Sequence, residues 1–293
     1  MNPLEYVAGE VRRQLAEDQG LAGVLLLGSI SAGMDDETSD YDILLVFTDE
    51  AMAAHPEYRE ATLRLDRKAD VWSATLSELA AYDRHGYDVR ELLHAQYPID
   101  PEGTLRKIVE ERVHYPAEEI PPLVSARLDS YYDGVFRSLK CFRHGFTFGG
   151  YQMAARSMEF FVETLWALNG RVMPFLNRAP YLLHTLEKLP FSQEETRRLM
   201  ERIARDADEA SQLKLLDRML EFMKEQGYYQ VQMDWEGVLE KEADLHRGKG
   251  DGHERHAHCA VRRWGIRGCV CAISSEGSPP GELRAGGGGG SVH

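Results

Sequence analysis

Long hydrophobic runs are missing from this chain. No stretch of 18 apolar residues occurs in its 293 residues, so no transmembrane helix and no membrane partner are expected. The N-terminus, Met1-Asn2-Pro3-Leu4-Glu5-Tyr6, lacks the basic stretch and apolar core of a secretory signal. Cysteine is scarce: there are four, three of them crowded at Cys259, Cys269 and Cys271, too few and too uneven for a disulfide framework. Together these absences lead to the expectation of a reducing, cytoplasmic setting. Basic charge is short as well. Thirty-four Lys and Arg face 48 Asp and Glu, for a formal net charge of -14. A protein that coats duplex DNA needs the opposite balance, because its affinity comes from cations that neutralise phosphates. What is plentiful is apolar residues, 43% of the chain, which excludes disorder throughout and supplies material for a packed core.

The charge is uneven along the chain. From His246 onward its sign reverses, with seven Lys or Arg against four Asp or Glu, and the chain closes on a glycine run from Gly286 to Gly290. This tail, 246–293, has no helical or strand period and reads as a disordered segment. Its His253, His256 and His258 with the nearby cysteines are possible zinc ligands, although their spacings match no standard finger.

Residues 1–115 read as mixed helix and strand. Val7, Val11 and Leu15 fall at helical spacing. Gly23-Val24-Leu25-Leu26-Leu27 is a short apolar run, as expected of a buried strand, and Ile43-Leu44-Leu45-Val46-Phe47 is a second. Leu63, Leu65, Ala69, Val71 and Ser73 alternate with polar residues, which predicts a third strand with one polar face. A helix is expected from Leu76 to about Gln96, then a short extended piece and turn at 98–103. After Pro116, Pro121 and Pro122 the character changes, and 116–245 reads as consecutive helices. Breaks are expected at Gly145 to Gly150, Asn169 to Pro174 and Leu189-Pro190, with a capping box at Ser192 and Glu195. The fold class is therefore α+β: an α/β segment, then an all-helical one, then the tail.

The stretch that carries chemistry lies between the first two strands and runs from Gly28-Ser29 to Asp40-Tyr41-Asp42. Asp40 and Asp42 are one residue apart, so on an extended chain both carboxylates leave the same face. Such a pair is tolerable when exposed or when it holds a cation, and carboxylates are the hard oxygen ligands that suit Mg²⁺ alongside substrate phosphates. Asp70 lies on the polar face of the third strand, with Asp66 as its rival four residues earlier. Asp70 is favoured because it lies between Ala69 and Val71, at the more apolar end. If the strands are neighbours, Asp40, Asp42 and Asp70 converge on a two-metal site. Gly28-Ser29, at the turn from strand into helix, presents backbone N–H groups and a hydroxyl suited to phosphates. It is not a Walker loop, because no Gly-Lys-Ser/Thr follows.

A hydrophobic strand, Gly-Ser, about ten residues, Asp-x-Asp at the next strand and a later Asp on a third strand resembles the polymerase-beta-like nucleotidyltransferase superfamily over roughly residues 23–72. The resemblance implies a small mixed-sheet catalytic domain. It makes Gly28 and Ser29 triphosphate-binding, Asp40 and Asp42 ligands of two Mg²⁺ ions, and Asp70 the third ligand, near the attacking hydroxyl. Tyr131 to Lys140 and Leu165 to Pro174 more loosely resemble the helical domain of bacterial small-molecule nucleotidyltransferases, a group that includes aminoglycoside and lincosamide resistance enzymes.

Two helix faces in the second segment bear on the site. Arg137, Lys140 and His144 fall at i, i+3 and i+7. This cationic stripe is either a solvated face or a contact for the triphosphate, with Lys140 preferred for pyrophosphate. From Tyr151 to Leu168 a mostly apolar helix carries one narrow polar stripe of Gln152, Arg156, Glu159 and Glu163. Facing solvent, it is an exposed stripe with Arg156–Glu159 pairing. Facing a cleft, Glu159 or Glu163 accepts the proton of a substrate hydroxyl, and the resemblance implies a Glu base in this domain. The expected activity is transfer of a nucleoside monophosphate from a nucleoside triphosphate to a small acceptor, and the acidic surface favours a cationic one such as an aminoglycoside. An antitoxin-type enzyme that AMPylates proteins and a non-catalytic nucleotide-binding regulator are the alternatives. Oligomeric state is left open, with a dimer conceivable through the helical surface.

Overall fold

The computed structural model describes residues 2–15 and 20–246; the tail beyond them, with its histidines and cysteines, lies outside the described residues. The strands β1 (Leu21–Leu27), β2 (Tyr41–Phe47), β3 (Ala69–Thr75) and β4 (Gln96–Ile99) form one sheet in the order β3-β2-β1-β4. β1 is antiparallel to β2 and β4, whereas β2 and β3 are parallel, so the sheet is mixed. The helices of this half are α1 (Pro3–Gln14), α2 (Gly28–Ser31), α3 (Asp49–Ala54), α4 (Leu76–Ala80), α5 (Asp88–Glu91) and α6 (Thr104–Val113). Val7 and Val11 of α1 pack on Val24, Leu26, Ile43, Leu45 and Phe47. Leu25, Leu27, Leu44 and Val46 face the other way, onto Leu79, Val89, Leu105 and Val109. Burial on both faces is why β1 and β2 read as unbroken apolar runs instead of alternating ones.

Two expectations about this half need correction. The third strand begins at Ala69, not at Leu63. Gln14 explains the difference: its side-chain amide donates to the Arg64 carbonyl (2.8 Å) and its amide oxygen accepts from the Arg64 N–H (2.9 Å). The Tyr6 hydroxyl accepts from the Asp66 N–H at 2.7 Å. Side chains thus take the backbone groups that a neighbouring strand would have used, and Leu63 is buried without being in the sheet. The single helix expected from Leu76 to Gln96 is instead α4, α5 and a 3-10 turn (Leu92–His94), followed directly by β4. The break falls at Asp83, whose carbonyl accepts from the Gly86 N–H and whose carboxylate accepts from the His85 N–H, a local turn that competes with helix.

The helical half consists of α7 (Ile120–Arg143), α8 (Thr147–Leu168), α9 (Ala179–Leu182), α10 (Gln193–Asp206), α11 (Glu209–Glu225) and α12 (Tyr229–His246). Its core centres on α7 and α8, where Leu128, Tyr131, Tyr132, Val135 and Leu139 meet Phe161, Leu165 and Trp166. The helices cross closely at Gly134, where a Cβ would come within 2.9 Å of Ser157 Cβ. Ser192 caps α10 as expected, accepting from the Glu195 N–H at 3.3 Å. The reciprocal half of the box is absent, because the Glu195 carboxylate binds Arg198 and Lys214, and those hydrogen bonds hold its pKa down at about 2. The loop after α8 returns to the α/β half: Val172 N–H donates to the Val113 carbonyl, Tyr115 N–H donates to the Gly170 carbonyl, and the Val172 side chain joins the core beneath the sheet. Both halves belong to one compact unit. Among the described residues, no helix is long and apolar enough to cross a membrane.

Candidate active site

The site begins where β1 ends. Leu27 pairs across the ladder with Asp42, and Asp42 pairs in parallel register with Asp70. Gly28 follows at φ +70°, and a Cβ there would lie 1.7 Å from Asp42 Oδ2. The chain therefore needs glycine at this point on two counts, the left-handed backbone and the approach of the carboxylate. α2 then opens with Ser29 half-exposed, and its other end is held by the Gln96 side chain, which donates to the Ser31 carbonyl at 2.9 Å. The expected trio of Asp40, Asp42 and Asp70 gathers at this end of β2 and β3. Asp66 is apart from them, beside Tyr6 and Tyr41.

Asp42 is the least compensated of the three. It is half-buried and accepts no hydrogen bond from a described residue. Burial raises its pKa first, and the charges of Asp40 and Asp70 raise it further, against an opposing effect of Arg178 and Lys68. Asp40 has its pKa lowered, chiefly by its hydrogen bond from Lys68. Lys68 Nζ bridges the outer two carboxylates, 3.1 Å from Asp40 Oδ2 and 3.0 Å from Asp70 Oδ1. Among the described residues, no group of three Asp, Glu, His or Cys stands ready to hold one ion; the Lys68 ammonium lies between the Asp40 and Asp70 oxygens. The three carboxylates are hard oxygen donors of the kind a divalent cation takes, and the half-buried Asp42 lies between the charges of Asp40 and Asp70 with only Arg178 and Lys68 opposing them. Lys68 is 71% exposed and free to swing away. Lys68→Gln is expected to tighten Mn²⁺ binding several-fold in a titration followed by the EPR signal of free Mn²⁺. Equal or weaker binding would mean that the lysine does not compete for these oxygens.

The loop after α8 supplies the opposite wall. Arg178 acts on both Asp42 and Glu91. Glu91, at the end of α5, is half-buried; burial raises its pKa, with Asp42 and Asp88 adding to the effect and Arg178 opposing it. His94 is lowered by burial and by the nearby Arg178, Arg171 and His184, and its Nε2 is buried without a partner. Tyr87, 69% exposed, packs on Phe175 at 4.8 Å, and Arg178 lies over the Phe175 ring. Glu91, His94, Arg171 and Arg178 escaped the sequence reasoning. Asn169 to Pro174 reads as a plain helix stop, and only long-range pairing with 113–115 brings the loop to the sheet. Lys68 had a visible signal, since it lies two residues before Asp70, just ahead of β3.

The remaining expected residues lie elsewhere. Arg137 is taken by Asp133 on its own helix at 2.7 Å, and Lys140 lies over the Phe136 ring; these contacts stay within α7. Along α8 the polar stripe runs from exposed Gln152 and Arg156 to half-buried Glu159 and Glu163. Arg156 lies over the Phe160 ring. Glu163 pairs with Arg127 at 3.0 Å, with its side chain only 16% exposed, and burial raises its pKa.

No family model matches the chain, and no curated protein does. Among solved structures it is similar to a nucleotidyltransferase-like protein from Exiguobacterium sibiricum. The identity is 10%, covering 84% of this chain and 81% of that one, with a TM-score of 0.39. A likeness at this level transfers no role to any residue.

Proposed function

We propose that this protein is a nucleotidyltransferase that moves a nucleoside monophosphate from a nucleoside triphosphate to a hydroxyl of a small acceptor. The observation that carries this reading is the packing of Gly28 onto Asp42, with Asp70 opposite in register. It joins the Gly28-Ser29 turn to a cluster of three carboxylates whose half-buried member, Asp42, accepts no hydrogen bond from a described residue. Asp40, Asp42 and Asp70 would hold Mg²⁺, which when bound offsets the charge of the phosphates and of the attacking oxygen. The N–H groups at the start of α2 and the Ser29 hydroxyl receive phosphate oxygens. The acceptor oxygen bonds to the α-phosphorus, the bond from that phosphorus to the β-phosphate oxygen breaks, and pyrophosphate leaves. The acceptor proton passes to a carboxylate. Glu91, in the field of Asp42 and raised by burial, suits that role better than Glu159 or Glu163, because Glu163 is engaged by Arg127. The charge of Arg178 opposes those of Glu91 and Asp42, and Tyr87 with Phe175 offers an aromatic lip for a flat ring. Arg137 and Lys140 remain available to phosphates only if they leave their contacts on α7.

One observation favours a second reading, a protein that binds nucleotide without turnover: Lys68 lies between the carboxylates, where a cation would. The test incubates the purified full chain with each nucleoside triphosphate, Mg²⁺ and a panel of hydroxyl acceptors that includes proteins. Pyrophosphate release with an acceptor supports the enzyme. Nucleotide binding without release supports the second reading, and neither binding nor release refutes both.

A further inference from the structure

Behind α5, a cavity of about 30 Å³ opens between the two halves of the fold. Its lining is unusual for a protein of net charge -14. Arg84, Arg90, Arg127 and Arg171 all face it, and Glu163 is the one carboxylate among its lining residues. The arginines are not equally occupied. Arg127 is paired with Glu163. Arg84 donates to the carbonyls of Glu111 and His114. Arg171 gives one terminal N–H to the Thr185 carbonyl, while its Nε is buried with no partner. Arg90 is half-buried, and its guanidinium has no hydrogen-bond or ion-pair partner among the described residues, the residue's hydrogen bonds being those of its backbone.

A buried cationic donor without a partner, such as Arg171 Nε, is costly, and native structures rarely leave one so. A fork of guanidinium N–H groups matches the paired oxygens of a carboxylate or phosphate. The space corresponds to about two water positions, which two oxygens of one such group would replace. We propose that this cavity is an oxyanion site, with Arg90 and Arg171 as its principal donors, and that it receives a carboxylate or phosphate carried by the acceptor. The acceptor assignment rests on the nucleotidyltransferase reading; the anion site does not. None of its lining residues belongs to the Gly28–Asp70 stretch, so it is a different place from the triphosphate turn. It also reverses the acceptor charge expected from composition, because a purely cationic acceptor has nothing to offer four arginines.

The test titrates the full chain, free of metal and nucleotide, with inorganic phosphate and separately with acetate, reading heat and melting temperature. Saturable binding of at least one anion is expected, weakened at least tenfold by Arg90→Gln and by Arg171→Gln. Glu163→Gln is expected to tighten it several-fold, an effect that loss of a merely structural pair would not produce, so the proposal stays testable if an arginine variant misfolds. Asp42→Asn should leave it unchanged. Preference for phosphate identifies a phosphorylated acceptor, and preference for acetate a carboxylated one. No saturable binding, binding indifferent to all three cavity variants, or binding lost in Asp42→Asn would overturn the anion site. These measurements stand whether or not nucleotidyl transfer is found. Where transfer is found, turnover of purely cationic acceptors alone would overturn the acceptor assignment.

Discussion

Asp42→Asn is expected to lower nucleotidyl transfer by at least ~10³-fold, the scale of several kcal/mol of charge stabilisation in a metal-assisted step, and at the same time to make the metal-free protein more stable. The two effects have one cause. Folding half-buries Asp42 between Asp40 and Asp70, and its pKa is raised by burial and then by those charges. A carboxylate whose pKa is higher in the folded than in the unfolded state binds more protons when folded. Stability therefore falls as pH rises from the unfolded value through the folded one, and above that window the full penalty is present. The amide removes the penalty, a gain that solvent screening at this half-exposed site keeps below about 1 kcal/mol, or at most about 2–4 °C in melting temperature for a chain of this size. Melting curves in EDTA across the acid range check both parts. The wild type should lose stability through this window relative to the variant, and the two should converge below it. A variant that is less stable at neutral pH, or that retains turnover, would remove Asp42 from the role given to it.

Gly28→Ala should fail in the other direction. The new Cβ would occupy the place of Asp42 Oδ2, 1.7 Å away, and Asp42 Cγ is only 2.7 Å away. Asp42 must turn aside, and the alanine must also hold φ +70°, a left-handed conformation that costs about 1–2 kcal/mol. The expected protein is folded, several degrees less stable and impaired in turnover by about 10² or more, the penalty of displacing a catalytic group by about an ångström. Mn²⁺ binding should weaken in parallel. Normal turnover in a folded Gly28→Ala would show that the contact between Gly28 and Asp42 is incidental.

Much of this was legible in local sequence, for physical reasons. β1 and β2 are buried on both faces, so their apolar runs are continuous and unmistakable. The polar interval between them, with its Gly-Ser and its Asp-x-Asp, then marks one end of the sheet's two inner strands. The parallel register that sets Asp70 against Asp42 follows the more apolar end of the third strand. The alternation further upstream misled because Gln14 and Tyr6, about 50 and 60 residues away along the chain, supply hydrogen bonds that make a strand unnecessary at Arg64 and Asp66. The helical half was legible as helices but not as a wall of the site. The contacts that bring Arg171 and Arg178 to the sheet depend on backbone pairing between Gly170 or Val172 and Val113 or Tyr115, and backbone groups carry no sequence signal. Lone arginines in a helix-terminating loop look like solvated charge until the partner surface is seen. Glu91 was hidden in the same way, inside a stretch read as one helix that is in fact broken before it.

The central claim is that the reacting atom is the α-phosphorus. The direct measurement is a pair of parallel reactions with the preferred nucleoside triphosphate, one labelled at the α-phosphate and one at the γ-phosphate, each with Mg²⁺ and the acceptor. The account predicts α-label on the acceptor and γ-label in released pyrophosphate. γ-label on the acceptor, or γ-label released only as inorganic phosphate with none of the α-label transferred, would contradict it.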